Sequence, residues 1–309
     1  MSLANLGRES LIYGFGHVMA RFITFLLLPF YTHVFTTEEY GTVSLAYAFI
    51  GFTLIVYKYG MDTALMKYGV QKLNLDRSKH ITVILIIQVL TSFVFSLLLY
   101  LLNEWFAPIA LGVDRPEWVT YLSIILFLDS IWNLPLIILR TENKATAYIL
   151  ISLLNVMLTM LFNIFFIVKV GYGVEGVFLS NIISSSLILL VSTKIIYDNM
   201  KFEQFDVNIL KKVLRFGLPF LPAGIFTMIM ELSDRYMLNI FLGVDDVGLY
   251  SAGKKLGMLG LTVVMAFNMG WTPYFLKRGQ LQGAKLEFAS IGTIFFGGLG
   301  YVCMLVILW

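Results

Sequence analysis

Apolar residues run through this sequence in blocks of about 20, the length at which a helix rising 1.5 Å per residue crosses roughly 30 Å of hydrocarbon. Nine such blocks stand near 11–35, 42–66, 80–102, 118–139, 145–168, 174–197, 217–241, 247–270 and 288–309, separated by short polar intervals. The pattern predicts an all-α integral membrane protein with nine transmembrane helices. The first block is full length and is not followed by a small-residue cleavage site, so it is expected to stay as an anchor.

One polar interval has a helical period of its own. From Asp206 to Phe216, Val207, Leu210, Val213 and Leu214 share one face, and Asn208, Lys211, Lys212 and Arg215 share the other. That spacing predicts an amphipathic elbow helix on a membrane surface, with its cations near anionic head groups. The ends of even-numbered blocks and the intervals after them hold Lys58, Lys67, Lys72, Arg77 and Lys79, then Arg140 and Lys144, then Lys194, Lys201, Lys211, Lys212 and Arg215, then Lys277, Arg278 and Lys285. The intervals after odd-numbered blocks hold only Arg115 and Lys169. Basic residues concentrate on the cytoplasmic side of membrane proteins. Fifteen against two therefore predicts a multi-pass protein of the cytoplasmic membrane with a cytoplasmic N-terminus.

Composition narrows the chemistry. Of 309 residues, 59% are hydrophobic and 13% charged. Soluble domains carry about twice that share of charge. The net charge of +3 is small and spread along the chain, which argues against nucleic acid. The one cysteine, Cys303, cannot form a disulfide framework within the chain, and His17, His33 and His80 are scattered without the spacing of metal ligands. No phosphate-cradling Gly-x-x-x-x-Gly-Lys-Ser/Thr loop is present, so the chain is expected to use no cofactor and no ATP of its own.

Ionisable residues inside apolar blocks carry the functional reading. A cation at the centre of a bilayer helix costs about 2.5–3.5 kcal/mol on insertion scales, so it normally faces a partner or a wet cavity. Arg21, Arg235, Lys254 and Lys255 are such residues. Arginine's planar fork and lysine's mobile charge both suit phosphate or pyrophosphate, so these four are the candidate substrate-binding residues. His17 lies one turn from Arg21, with Gly14 and Thr24 on the same face. Glu231 and Asp234 accompany Arg235, Lys58 and Asp62 are spaced for an ion pair, and Asp129 stands near Asn133 and Pro135. His17, Lys58, Asp62, Asp129, Glu231 and Asp234 are therefore the candidate gating or coupling residues, with a sodium ion or a proton as the coupling ion. Asn155, Asn163 and Asn181 are expected to be interhelical hydrogen-bond partners.

The chain also repeats itself. Thr36-Thr37-Glu38-Glu39-Tyr40-Gly41, entering the second block, matches Gly243-Val244-Asp245-Asp246-Val247-Gly248, entering the eighth, at an offset of 207. Six helices separate the copies, and an even number preserves topology, so the repeat is parallel with its pseudo-two-fold axis along the membrane normal.

Glu38-Glu39-Tyr40-Gly41, Tyr59-Gly60-Met61-Asp62-Thr63-Ala64-Leu65-Met66-Lys67-Tyr68, Ser233-Asp234-Arg235-Tyr236 and Val247-Gly248-Leu249-Tyr250-Ser251-Ala252-Gly253-Lys254 resemble segments of polysaccharide-export flippases, in the multidrug/oligosaccharidyl-lipid/polysaccharide superfamily. The resemblance implies a MATE-like bundle of two six-helix lobes around a cavity that opens alternately to each side, with helices 1 and 7 as equivalent cavity walls. On that plan 1–200 form the first lobe, 201–216 the elbow, and 217–309 the first three helices of a second lobe. Such transporters have twelve to fourteen spans, so a truncated sequence is expected. The implied cargo is a polyprenyl-pyrophosphate-linked oligosaccharide, moved to the outer leaflet for O-antigen or capsule synthesis. The bilayer is the immediate partner, with glycosyltransferases or a polymerase of the same pathway as further ones. A lipid II flippase, a cation-coupled drug exporter and, from another class, a membrane-embedded polysaccharide polymerase or ligase stay open as alternatives.

Overall fold

A computed structural model of the chain describes residues 3–69, 74–201, 205–258, 264 and 284–307. Its helices are α1 (Leu3–Val34), α2 (Thr37–Lys58), α3 (Met61–Gly69), α4 (Asn74–Leu101), α5 (Asn103–Leu111), α6 (Pro116–Thr141), α7 (Ala145–Ile164, continued by a π-helical turn Phe165–Val170), α8 (Gly173–Asn199), α9 (Val207–Gly217), α10 (Phe220–Phe241), α11 (244–258) and α12 (Ala284–Ile307). Among the described residues six segments are long and apolar enough to span a bilayer, and Val18–Val34 and Leu286–Gly298 are shorter apolar stretches. The expected span 247–270 lies partly outside the described residues.

Two compact units divide the chain, Met1–Ala252 and Gly253–Trp309. In the first, α6 is central and packs against α2, α3, α4, α5 and α8, while α7 joins α8 to α1. Leu122, Ile125, Leu126, Leu134 and Ile138 bury the inner face of α6. Leu90, Phe93, Val94, Leu97 and Leu101 of α4 remain exposed. A large apolar surface facing outward is what a lipid-bathed helix requires, because lipid supplies no hydrophobic penalty for it. In the second unit α12 likewise exposes Leu286, Ile294, Phe296 and Met304.

Local chemistry sets several boundaries. The Thr36 hydroxyl accepts from the Glu39 N–H at 3.2 Å, and the Glu39 carboxylate accepts from the Thr36 N–H at 2.9 Å. This reciprocal pair is a capping box, and it starts α2 at Thr37. The block expected as one helix over 42–66 is broken. Tyr59 and Gly60 both take left-handed backbone, with φ 30° and 81°. That conformation ends a helix, here α2 at Lys58, and redirects the chain into α3. Asp206 caps α9 by accepting the Asn208 N–H at 2.8 Å, the bond expected of a residue preceding a helix. Val213 is fully buried beneath α9 while Lys211, Lys212 and Arg215 stay exposed.

Membrane-embedded polar groups hold neighbouring helices together. The Tyr31 hydroxyl donates to Asn163 at 2.9 Å between α1 and α7, and the Asn181 amide donates to Tyr47 at 2.9 Å between α8 and α2. Gln88 donates to the Tyr57 carbonyl at 2.8 Å, and Ser130 to Ser92 at 2.8 Å, tying α4 to α2 and α6. Such bonds contribute on average about 0.6 kcal/mol each in a membrane protein.

At the basic end of the bundle Arg77 donates to the Gly69 carbonyl at 2.8 Å and pairs with Glu142 at 2.7 Å, while Lys144 closes on the other Glu142 oxygen at 2.8 Å. Partial burial raises the Glu142 carboxyl, but the bonds from Lys144 and Arg77 outweigh it and hold the group below its ordinary range. Hydrogen bonds and cations that favour the charged form lower a carboxyl in this way. A depressed carboxyl stabilises the fold fully above its unfolded pKa, and that contribution disappears as pH falls through the lower folded value. Glu142→Gln is therefore expected to lower the melting temperature by about 1–4 °C at neutral pH, given roughly 0.5–1 kcal/mol for a partly exposed pair. The gap between variant and parent should close in strong acid, which a melting series across pH would measure.

Candidate functional site

A seam between α2 and the later helices of the first unit organises the site. Glycines let the backbones meet along it. A Cβ at Gly41 would fall on the Val244 carbonyl oxygen, and one at Gly248 on the Thr37 carbonyl oxygen. These two contacts exchange under the offset of 207, because 37 maps to 244 and 41 to 248. The two copies of the repeat thus meet face to face, and Thr37 adds a hydrogen bond to Asp245 at 2.6 Å. Lower down, Gly51 faces Leu232 and Gly224 faces Ile55, and at the far end Gly60 abuts the Gly217 backbone.

Near the acidic end of this seam α10 presents Asp234 and Arg235. One Asp234 oxygen accepts the Arg235 backbone N–H at 2.9 Å and the other accepts the Tyr250 hydroxyl of α11 at 2.5 Å. The Arg235 side chain is half-buried, and its Nε is fully shielded with no hydrogen-bond acceptor among the described residues. Its charge acts on the hydroxyls of Tyr40, Tyr236 and Tyr250. An unsatisfied Nε inside the bundle is a donor that an anion entering beside it would satisfy.

Beside the seam lies an apolar cavity of about 680 Å³ bounded by α2, α4, α5 and α10. Phe52, Val56, Leu98, Leu102, Ile229 and Met237 line it, and Ser233 and Tyr236 bring its wall to the neighbours of Asp234 and Arg235. A charged group and an oily recess therefore adjoin on one helix.

The helices before the seam enclose a second polar group. Asp129 of α6 accepts the Trp132 indole N–H at 2.7 Å and the Ser185 hydroxyl of α8 at 2.6 Å with the same oxygen. The charge of Lys58 reaches it from α2, and Tyr47 of α2 also interacts with it. Tyr47 in turn bonds to Asn181 and Tyr31. The result is a polar thread through five helices, from Tyr31 on α1 and Tyr47 on α2 to Asp129, Asn163 and Asn181.

The other candidates fall in different places. Arg21 is exposed on α1, and the His17 side chain lies outside the described residues. Glu231 is exposed on α10, one turn before Arg235. Lys58 and Asp62 stand on either side of the Tyr59–Gly60 break, and Lys58 feels Asp62 and Asp129 together. Lys254 and Lys255 belong to the second unit and are each partly buried there. Tyr40, Tyr47 and Tyr250 escaped sequence reasoning because a tyrosine in an apolar run resembles any core aromatic. The acidic turn next to Tyr40 and the Asp234-to-Tyr250 span were the available signals.

Comparison with known proteins agrees with this architecture. Residues 6–278 match the family described as "Polysaccharide biosynthesis protein". Protein 1 of the Lsg locus of Haemophilus influenzae, described as putative in name, is 24% identical over 296 residues, covering 91% of this chain and 69% of that protein. An uncharacterized membrane protein of the same organism is 22% identical over 294 residues, covering 92% and 68%. Among solved structures, the MATE multidrug transporter DinF-BH has a TM-score of 0.65 at 17% identity, covering 86% of this chain and 63% of that one. A MOP superfamily transporter from Pyrococcus furiosus, whose binding pocket is described as having reverse polarity, has a TM-score of 0.62 at 18% identity, covering 85% and 61%. The fold is that of MATE transporters, and the chain spans about three fifths of the length of these two structures.

Proposed function

Since this chain belongs to the polysaccharide biosynthesis protein family, we propose that it works as a transporter, an alternating-access flippase for a polyprenyl-pyrophosphate-linked oligosaccharide. The carrying observation is the adjacency on α10 of Arg235, whose Nε lacks an acceptor among the described residues, and the 680 Å³ apolar cavity. A lipid-linked sugar is amphipathic in that sense, with an anionic head and an isoprenoid tail. The head sits at Arg235 while the tail keeps to the oily recess and the bilayer. Arg21 on α1 serves as the first lobe's counterpart to Arg235, and Lys254 and Lys255 are the candidate cations of the second unit. His17, Glu231, Asp234 and the Lys58–Asp62 pair act as gating groups. The first lobe is 1–200, the elbow 201–216, and 217–309 contribute to the second lobe. The N-terminus and the α3–α9 face are cytoplasmic, and the cargo moves outward to the enzymes that polymerise it.

Asp129 is the coupling group. Two neutral donors and a nearby ammonium orient its carboxylate inside the bundle, and intramembrane acids of this kind mark ion or proton paths. The test places the full-length protein in vesicles carrying a polyprenyl-pyrophosphate oligosaccharide and follows sugar exposure to an external lectin. Intact substrate should change leaflet with no covalent alteration, and Asp129→Asn should remove the response to an imposed proton or sodium gradient. Sugar that stays in its leaflet, or emerges chemically altered, overturns the reading.

A further inference from the structure

The elbow helix does more than join two lobes. Where α9 crosses α3, Tyr68, Lys211, Lys212, Arg215 and Phe216 line a pocket of about 410 Å³. Lys67 of α3 places its ammonium 3.8 Å from the Phe216 ring centre and 5.3 Å from that of Tyr68, and Lys212 sits 5.1 Å from the Tyr68 ring. Tyr68 is itself immobilised, stacked on His80 at 4.7 Å and edge-on to Phe216 at 5.8 Å.

We propose that this pocket binds the phosphate of an anionic membrane phospholipid in the leaflet that α9 lines. Four cations, Lys67, Lys211, Lys212 and Arg215, converge from two helices that are remote from each other in the chain. None of the four makes an ion pair among the described residues, although ion pairs with carboxylates do form nearby at Arg77 and Lys144. Like charges brought together without internal carboxylates repel, and an external anion relieves that repulsion. The aromatic floor holds two of the ammonium groups over ring faces by cation–π attraction and leaves other N–H bonds of each free to turn toward a ligand. Arg215 supplies the planar fork that grips two phosphate oxygens.

Depth favours a lipid over a free ion. Phe205, Val207, Leu218 and Phe220 flank the pocket in sequence and are 43–55% exposed. Apolar side chains so exposed at both ends of an amphipathic helix belong in the acyl boundary, which sets Lys211, Lys212 and Arg215 at head-group level. The inference concerns a lipid of the surrounding membrane and holds for any cargo.

Full-length protein would be melted in phosphatidylcholine nanodiscs with and without phosphatidylglycerol, and retained lipids identified by native mass spectrometry. Phosphatidylglycerol should raise the melting temperature and be retained preferentially. The triple variant Lys211→Gln, Lys212→Gln, Arg215→Gln should lose that preference by about 10-fold or more, at roughly one order of magnitude for one to two removed charges. A control triple, Lys144→Gln, Lys169→Gln, Lys194→Gln, should keep it. The replaced side chains are exposed in both triples, and the single variant Lys212→Gln gives a milder reading if the first triple accumulates poorly. Equal preference in that triple and the parent overturns the proposal. So does full stabilisation by inorganic phosphate in pure phosphatidylcholine with no added effect of phosphatidylglycerol, which would assign the pocket to a free anion.

Discussion

Gly41→Leu and Gly248→Leu are each expected to lower the melting temperature of the purified protein by about 5–10 °C, and by similar amounts. The partner at both positions is a backbone carbonyl, of Val244 and Thr37 respectively, so no rotamer change can make room. Overpacking a close contact costs about 1–3 kcal/mol where side chains can yield, and a rigid backbone neighbour puts these variants at or above the upper end. At roughly 2–4 °C per kcal/mol for a chain of this size, the shift follows. Similar magnitudes are expected because the repeat offset exchanges the two contacts. Gly253→Leu and Gly257→Leu are the controls, since a Cβ there meets nothing within 4 Å among the described residues. A Gly41→Leu protein as stable as its parent would falsify the seam as a contact between repeat copies.

Arg235→Ala is expected to reduce flipping about 10–100-fold while leaving membrane abundance and melting temperature unchanged. Charge-assisted hydrogen bonds to phosphate are worth about 1.5–3 kcal/mol, which sets that range. A structural arginine would behave differently. Removing one partner of a buried pair destabilises by about 3–5 kcal/mol because the other charge is left uncompensated. The Arg235 Nε has no acceptor to abandon among the described residues, so alanine leaves no orphan at that atom. Arg235→Lys keeps the charge and loses the fork, and should retain part of the activity. Arg21→Ala tests the first lobe in the same assay. If Arg235→Ala melts early with normal transport per folded molecule, the substrate role is wrong and a structural one is right.

Much of this architecture is legible in the residues alone. Hydrophobic block length declares a membrane bundle, because the hydrocarbon thickness imposes one minimum on every spanning helix. The amphipathic period of 206–216 declares the helix α9, and the repeated acidic turn puts Gly41 and Gly248 in equivalent positions. Asn163 and Asn181 bond across helices for the reason their sequence setting suggests, namely that a polar group in hydrocarbon must find another.

The bend at Tyr59–Gly60 is not legible. Gly60 is a residue type that ends helices, but left-handed backbone at Tyr59 before it is a conformation that tyrosine's own propensity does not indicate. Nor is the convergence of Asp129 with Ser185 and Lys58, or of Lys67 with Lys212 and Phe216, since each brings together helices distant in the chain. Sequence by itself determined that the chain is a helical membrane protein and where most of its apolar segments lie, because those depend on residue-to-water transfer energies summed locally. Only the tertiary structure decided which glycines meet backbone to backbone, which guanidinium nitrogen lacks an acceptor and which cations share one pocket. Those depend on how helices cross, and crossing is a property of pairs of surfaces that no single segment contains.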